Sequence, residues 1–301
     1  MHADRGATLS DAIFIGLSTI DVVYEVDEFP SPNKKITARS QEVFIGGPAT
    51  NAAVTFAHLG GKASLVTAVG SHVIAAAIKA DARQHSVNLI DLNPNFSGLP
   101  VISSVAVNKR GERDVISANT VRVDVPPAKT DESVLAKASL VMIDGHYMQA
   151  CQAWTEAAHA RNIPVILDGG SWKQGTADLI RFIDTAICSN DFMPPKCKSE
   201  DDVIKYLKDN GVANIAITRG ADPITFHSKS ASGVLKVPSV ESVDTTGAGD
   251  IFHGAFCFFA SSGSGFVEAL AEAAQIAAES CRFRGTREWM EHIATESILT
   301  H

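Results

Sequence analysis

The sequence predicts an α/β protein of three layers, in which helices cover both faces of a central, mostly parallel sheet. Three observations point to this class. Short apolar runs of strand type alternate with helical patterns along most of the 301 residues. Two of these runs end in Asp-Gly, and α/β proteins bind ligands at such strand ends. No internal repeat or long low-complexity linker interrupts the alternation.

The predicted elements follow one another in a β-α-β rhythm, which implies parallel strands joined by helices. A hairpin-like insertion, broken by Pro30 and Pro32, follows the first strand, and a second hairpin has a polar tip at 108–113. The predicted strands lie at 12–17, 22–26, 36–45, 63–69, 87–92, 100–107, 114–118, 140–144, 164–168, 185–189, 214–218, 224–227 and 233–237. The predicted helices lie at 54–59, 74–84, 251–260 and 267–282.

The composition is that of an ordinary globular protein and disfavours several classes of function. Hydrophobic residues make up 45% of the chain and charged residues 20%, with a formal net charge of −8. Because no basic run is present, we do not expect nucleic acid as a partner. No apolar run reaches the ~18 residues of a membrane span, and the N-terminal residues lack the apolar core of a secretory signal. The five cysteines are scattered without a C-x-x-C pair, which favours a cytoplasmic protein without disulfides or structural zinc.

Polar side chains stand where several strands end. Asp144 and Asp168 each close a strand and precede a glycine. We interpret Asp144 as a turn or cap residue, and we expect Asp168 to face the site as a ligand of a sugar or of a metal shell. His58, His146 and His253 lack metal-ligand spacing, so we interpret them as hydrogen-bonded or surface histidines.

The stretch 244–250, with the sequence DTTGAGD, is a glycine-rich turn that opens onto a helix. Gly247 and Gly249 allow a tight turn, and the apolar run at 251–260 indicates a buried helix. The first amides of a helix have no intrahelical partner, so with the helix dipole they favour an anion such as phosphate. Asp250 in the first turn is either a helix cap or, beside a bound phosphate, a base for a substrate hydroxyl.

A second glycine pair precedes the predicted helix at 54–59. Gly46 and Gly47 are followed by Asn51, whose amide offers donors and an acceptor to sugar hydroxyls. Taken alone, the pair is also consistent with a simple loop.

Together the two motifs resemble those of the ribokinase-like sugar kinases of the phosphofructokinase-B type, and the resemblance spans about residues 13–285. It implies a kinase domain at 12–290, with the strands of a small β-sheet lid inserted at about 20–45 and 98–122. It also implies that ATP phosphorylates a small carbohydrate, a ketose or a related sugar. The amides of Gly247, Ala248 and Gly249, with that of Asp250, would bind the transferred phosphate, and Asp250 would be the catalytic base. The continuation D-x-F-H-G-A resembles the ketohexokinase-like and sulfofructose-kinase-like branch.

The resemblance assigns the sugar to residues of the N-terminal part of the chain. Asp21 would hold sugar hydroxyls from its place after the first strand, and Gly46, Gly47 and Asn51 match the element that reaches the sugar. Pro48 stands where many members have a polar residue, so one sugar contact differs from the family pattern.

ATP and Mg²⁺ are the implied cofactors. Asn190, Thr218 and Gly220 match positions that line the nucleotide, and Arg113 is a candidate for a phosphate contact. Asp244 and Thr246 resemble residues that border a monovalent-cation site, so K⁺ is a further expectation.

The sequence departs from the family pattern at two positions of the nucleotide side. Met193 replaces the glutamate that organises Mg²⁺ in many members, and a thioether does not bind this hard cation. The ion would then be held mainly by nucleotide phosphates and water. Pro223 replaces a glycine, which fixes φ and removes an N–H from the nucleotide loop.

Two other functions stay open. A nucleoside kinase on the same scaffold would need an aromatic wall for the base, and Phe29 and Phe44 are isolated candidates. Met193 and Pro223 would also fit a sugar- or nucleotide-binding regulator without catalysis, although Asp250 argues against it. The resemblance further implies a cytoplasmic homodimer joined through the lid. Which sugar and which hydroxyl react is not encoded in these motifs.

Overall fold

The strands of the central sheet carry apolar residues on both faces. In β1 (Asp11–Ile15), Phe14 packs into one hydrophobic cluster, whereas Ile13 and Ile15 pack into another on the opposite face. The computed structural model describes residues 10–118, 123, 125–127 and 129–293. Within them the further strands are β2 (Thr19–Glu25), β3 (Ser40–Gly46), β4 (Lys62–Thr67), β5 (Asn88–Asp91), β6 (Ile102–Val107), β7 (Arg113–Ser117), β8 (Ala138–Ile143), β9 (Val165–Gly169), β10 (Thr185–Ser189), β11 (Asn214–Arg219), β12 (Asp222–His227) and β13 (Ser232–Leu235).

Nine of the described strands form the central sheet in the order β13-β12-β11-β10-β9-β8-β1-β4-β5. The strands from β11 to β5 pair in parallel, and β12 and β13 add an antiparallel hairpin at one edge. The carboxyl ends of the parallel strands therefore meet at one edge of the sheet, where α/β folds place their ligands.

Helices cover both faces of this sheet, which confirms the predicted three-layer α/β architecture. Residues of α1, α7 and α8 pack into the cluster that contains Phe14, and residues of α4 and α6 pack into the cluster of Ile13 and Ile15. The described helices are α1 (Pro48–His58), α2 (Ala75–Gln84), α3 (Glu132–Leu135), α4 (Met148–His159), α5 (Thr176–Leu179), α6 (Glu200–Asp209), α7 (Ala248–Ser261), α8 (Phe266–Ser280) and α9 (Trp289–His292), with a 3-10 turn at Ile180–Phe182. None of these helices is long and apolar enough to cross a membrane.

Helices α1 and α7 pack against each other unusually closely. A Cβ atom at Gly254 of α7 would lie 2.3 Å from the main-chain oxygen of Ala52 in α1, so only glycine permits this approach. Asn51 and Asp250 lie near the N-terminal ends of these two helices. The close packing therefore brings the two sequence motifs together.

A second sheet of four strands, in the order β3-β2-β6-β7, forms the predicted small lid. β2 pairs antiparallel with β3 and parallel with β6, and β6 pairs antiparallel with β7. Its strands come from the two predicted insertions, while residues 119–122 of the second insertion lie outside the described part of the chain. The domain limits of 12 and 290 stay a prediction.

The structure corrects three expectations about local structure. Asp21 lies within strand β2, which begins at Thr19 and not at residue 22 as predicted. Helix α1 begins at Pro48, earlier than predicted, because Gly47 adopts φ +99° and proline suits the first turn of a helix. The sequence after Gly285 indicates a polar tail, but this segment packs against the fold, since Trp289 is fully buried and Thr286 is 3% exposed.

Candidate active site

The N-terminus of α7 presents unpaired main-chain amides, as the glycine-rich turn predicts. Gly247 precedes the helix with φ +69°, which few residues other than glycine adopt. Within the described residues, the amides of Gly247, Gly249 and Asp250 have no hydrogen-bond acceptor. The Ala248 amide differs from the prediction, because it donates to the Thr245 carbonyl at 3.3 Å. Three of the four predicted amides are thus open to an anion.

Asp250 does not cap its own helix, because its carboxylate meets a side chain from α1. Asn51 Nδ2 donates to Asp250 Oδ2 at 2.7 Å, across a sequence separation of 199 residues. Burial, and then the nearby Asp168 carboxylate, raise the pKa of Asp250 to about 7, while the Asn51 hydrogen bond and His253 oppose this rise. A carboxylate with a pKa near neutrality is suited to accept a proton.

His253 and Asp168 are the charged or ionisable neighbours that act most strongly on Asp250. The His253 side chain is buried and lies beside two carbonyl oxygens, with Nδ1 2.7 Å from Gly249 O and Nε2 3.2 Å from Ile187 O. Nε2 also lies 3.6 Å from Asp168 Oδ1. His253 is thus hydrogen-bonded, as the sequence analysis expected, but it also lies next to the site. Burial raises the pKa of Asp168, and His253 partly opposes that rise.

Residues of the first motif and of the lid lie close to one another, and Asn51 of that motif contacts Asp250. Asp21 accepts a hydrogen bond from Thr19 Oγ1 at 3.3 Å, and burial raises its pKa. A Cβ at Gly46 would lie 2.2 Å from Asp21 Oδ2, and a Cβ at Gly47 would lie 2.3 Å from the Leu17 carbonyl oxygen. Gly46 therefore leaves room for the Asp21 carboxylate, and Gly47 lets the start of α1 approach the segment after β1. Asp21 and Asn51 are the two polar side chains of this region that the sequence assigns to sugar hydroxyls.

A cavity of about 770 Å³ lies beside the N-terminus of α7. Its lining includes Gly249 and His253 of α7 and three residues that the sequence analysis assigned to the nucleotide: Asn190, Thr218 and Gly220. Met193 is not among the lining residues of this cavity. Pro223 also lies outside the lining, and its carbonyl accepts from Arg219 Nη1 at 2.6 Å.

Arg113 and Asp244 meet between the lid and the glycine-rich turn. Arg113 Nη2 donates to Asp244 Oδ1 at 2.9 Å and to Thr245 Oγ1 at 3.3 Å. Asp244 also accepts from the amide and hydroxyl of Thr246 and from the Gly285 amide. Although burial opposes it, these hydrogen bonds and Arg113 lower the pKa of Asp244. Both Asp244 oxygens are thus held by protein donors, and a monovalent-cation site at Asp244 and Thr246 stays a prediction.

Asp144 is a buried cap, as its predicted role requires. Its carboxylate accepts from the amides of Leu17 at 2.8 Å, Ala49 at 3.2 Å and His146 at 2.8 Å. Burial opposes ionisation, but the His146 ring and these amides keep the pKa of Asp144 low. Asp144 therefore fixes the start of α1 against the end of β1.

Sequence reasoning missed Arg287. Its guanidinium donates to Asn51 Oδ1 at 2.9 Å and lies 3.1 Å from Asp81 Oδ2. Gly285, two residues earlier, adopts φ +59°, and a glycine in such a place is a sequence signal of a turn. The polar composition of the following residues gave no indication that the segment is buried.

The sequence matches one family over most of its length. The model of the pfkB family carbohydrate kinases matches residues 10–293. The ribokinase of Haemophilus influenzae is 23% identical over 299 residues, which cover 92% of this chain and 97% of the relative. The ketohexokinase of Mus musculus is 23% identical over 291 residues, which cover 90% of this chain and 96% of the relative.

Solved structures share the fold. A ribokinase from Thermotoga maritima superposes with a TM-score of 0.80 at 23% identity, covering 97% of this chain and 100% of that chain. Arabidopsis thaliana ribokinase, complexed with ribose and ATP, superposes with a TM-score of 0.81 at 20% identity, covering 97% and 98% of the two chains. These likenesses support the fold described above.

Proposed function

The chain belongs to the pfkB family of carbohydrate kinases, and on that basis we propose that it transfers the γ-phosphoryl group of ATP to a hydroxyl of a small sugar. One observation carries the proposal. The Asp250 carboxylate and the unpaired amides of Gly247 and Gly249 lie together at the N-terminus of α7, where Asn51 contacts the acid and Gly249 lines the cavity of about 770 Å³. That position suits an acceptor hydroxyl on one side and a nucleotide on the other.

In the proposed reaction, Asp250 accepts the proton of the attacking sugar hydroxyl. The hydroxyl oxygen forms a bond to the γ-phosphorus, the bond from that phosphorus to the bridging oxygen breaks, and ADP leaves. Asp21, Gly46, Gly47, Asn51 and Asp168 are proposed to form the sugar side. Orienting the hydroxyl towards the phosphorus supplies much of the rate in phosphoryl transfer.

The amides of Gly247, Gly249 and Asp250 are proposed to stabilise the charge that builds on the transferred group. One such donor contributes ~3 kcal/mol in comparable sites. Asn190, Thr218 and Gly220 are proposed to line the bound nucleotide. Within the described residues no cluster of His, Cys, Asp or Glu forms a ready-made metal site, so Mg²⁺ would be held by ATP phosphates and water. When bound, Mg²⁺ neutralises phosphate charge.

The finer assignments belong to the same proposal. The substrate is a ketose or a related sugar, which rests on the ketohexokinase-like motif D-x-F-H-G-A. Exposed Val43, Val115 and Ile116 on the lid strands support a homodimer joined through the lid, because these apolar side chains gain from burial. K⁺ beside Asp244 and Thr246 and a cytoplasmic location complete the proposal.

A substrate panel tests the proposed function. In a coupled assay of ADP release with ATP and Mg²⁺, we expect turnover with a ketose or aldose. Turnover with nucleosides alone would replace the proposal by a nucleoside kinase. Thermal stabilisation by sugar or ATP without any ADP release would indicate a regulator.

The pH dependence of kcat/KM should follow the ionisation of Asp250. Because the base must be a carboxylate and its pKa is raised to about 7, activity should rise with pH and level off above about 7. Below that value the rate should fall about tenfold per pH unit. The measurement is kcat/KM for the sugar from pH 5 to 9 at saturating ATP. A flat profile between pH 5 and 7 would contradict the assignment of the base.

A further inference from the structure

Arg287 links its own segment to three other parts of the fold, α1, α2 and β3. Its Nη1 donates to Asn51 Oδ1 of α1 at 2.9 Å and to Thr286 Oγ1 at 2.9 Å. Its Nη2 donates to the Ile45 carbonyl of β3 at 3.3 Å and to Asp81 Oδ2 of α2 at 3.1 Å. The side chain is only 18% exposed. The guanidinium is therefore held in one orientation by fixed acceptors.

The contact with Arg287 decides which end of the Asn51 amide faces Asp250. A guanidinium has donors and no acceptor, so it must meet the amide oxygen. The amide nitrogen then points the other way, where Nδ2 donates to Asp250 Oδ2 at 2.7 Å. Without this constraint the two ends of the amide, which have nearly the same shape, can exchange places.

We infer that Arg287 is a positioning residue for the reaction: it fixes the Asn51 amide so that Nδ2, and not Oδ1, faces the Asp250 carboxylate. The inference rests on the proposed function only through the role of Asp250 as base. Arg287 itself is not proposed to touch the transferred phosphate.

The charged groups around Asp250 give this orientation a measurable consequence. Asp168 of β9 and Asp144 at the end of β8 face Asp250 with negative charge, and His253 of α7 lies on the same side. Against these carboxylates, the Asn51 hydrogen bond is the uncharged interaction that favours the ionised acid. A rotated Asn51 would present Oδ1, which accepts a hydrogen bond from the O–H of neutral Asp250 and so favours the neutral form. Loss of Arg287 should therefore raise the pH at which Asp250 ionises.

Two other effects of Arg287 must be separated from this one. Its positive charge acts on Asp250 through space, and its bonds to Ile45 and Asp81 hold the fold together. Asp81 also lies 3.6 Å from His85, so its replacement disturbs α2 without touching Asn51. The variant Asp81→Asn is therefore a matched control for structural damage.

The direct measurement is a ¹³C NMR titration of the Asp250 carboxyl in protein labelled at the aspartate Cγ, with the signal assigned from its absence in Asp250→Asn. Relative to wild type, Arg287→Met should raise the midpoint by about 0.5 to 1 pH unit, the effect of one hydrogen bond. Asp81→Asn should leave it unchanged or lower it slightly, because it removes a negative charge. An unchanged midpoint in Arg287→Met would overturn the inference.

The same titration in an Asn51→Ala background distinguishes orientation from charge. If Arg287 acts through Asn51, Arg287→Met adds no further shift in that background. An equal shift in both backgrounds would show that charge alone acts, and the inference would be wrong.

The variant Arg287→Lys covers the case in which Arg287→Met does not fold. It keeps the charge, but its single ammonium group is drawn to Asp81 and leaves Asn51 Oδ1 without its donor. We expect an upward shift in this variant as well, whereas a charge effect predicts none. A midpoint equal to that of wild type would again overturn the inference.

The acid limb of kcat/KM, measured in parallel, tests the proposed function separately. It should move by the same amount as the NMR midpoint. If the midpoint moves and the limb does not, Arg287 still orients the Asn51 amide, but Asp250 is not the catalytic base.

Discussion

Replacement of Asp250 by asparagine should lower kcat by about 10²- to 10⁴-fold, the usual contribution of a general base. The change keeps the shape of the side chain and leaves Asn51 Nδ2 an oxygen to meet. It removes only the capacity to take a proton from the sugar hydroxyl. The measurement is single-turnover phosphorylation of the sugar identified by the substrate panel, at saturating ATP. A loss smaller than about 10²-fold would contradict the assigned role.

The same variant should be more stable than wild type at alkaline pH. The folded-state pKa of Asp250 is raised from 3.8 to about 7, so the stability that its protonated form contributes is complete below about pH 4. That contribution is lost as pH rises through about 7. The Tm values of Asp250→Asn and wild type should therefore agree near pH 4 and diverge towards pH 8, where the variant should have the higher Tm. Asp209→Asn, at an exposed helix position paired with Lys205, is the control and should change neither activity nor this pH trend.

Replacement of Gly247 by alanine should reduce kcat by about 10²-fold and also destabilise the protein. The residue adopts φ +69°, and its Cβ would lie 2.4 Å from Thr286 Cγ2. The conformation alone costs about 1–2 kcal/mol, and the clash forces the turn to move. This turn sets the orientation of the Gly249 and Asp250 amides. Their displacement therefore removes stabilisation of the transferred group. Steady-state kinetics and denaturant unfolding of the same preparations measure the two effects.

Two further variants separate the clash from the backbone strain. Gly211→Ala has φ +92° with no atom within 4 Å of the added Cβ, so it should lose stability while kcat stays the same. Combining Gly247→Ala with Thr286→Ser removes the clashing methyl but keeps the hydroxyl that binds Arg287. We expect this pair to recover part of the lost activity. If the pair has the same kcat and the same stability as Gly247→Ala alone, the clash does not displace the amides.

Much of the fold and part of the site follow from the sequence alone. The continuous apolar run of Ile13, Phe14 and Ile15 predicts a strand buried on both faces, and that requires helices on both sides of the sheet. The glycine-rich turn predicts the start of a helix with open amides and places Asp250 in its first turn. These features are local: they depend on backbone geometry and on apolar spacing within a few residues.

Other features depend on which distant segments meet, and only the tertiary structure decided them. The sequence does not predict that Asn51 donates a hydrogen bond to Asp250, or that Arg113 donates one to Asp244. Nor does it distinguish Arg287 from any other arginine in a polar stretch. Each of these partners lies more than 100 residues away along the chain, and chain folding alone sets their separation and their burial. The motif supplied the acid by itself, whereas its pKa and orientation come from neighbours that the packing of α1, α7 and the C-terminal segment brings together.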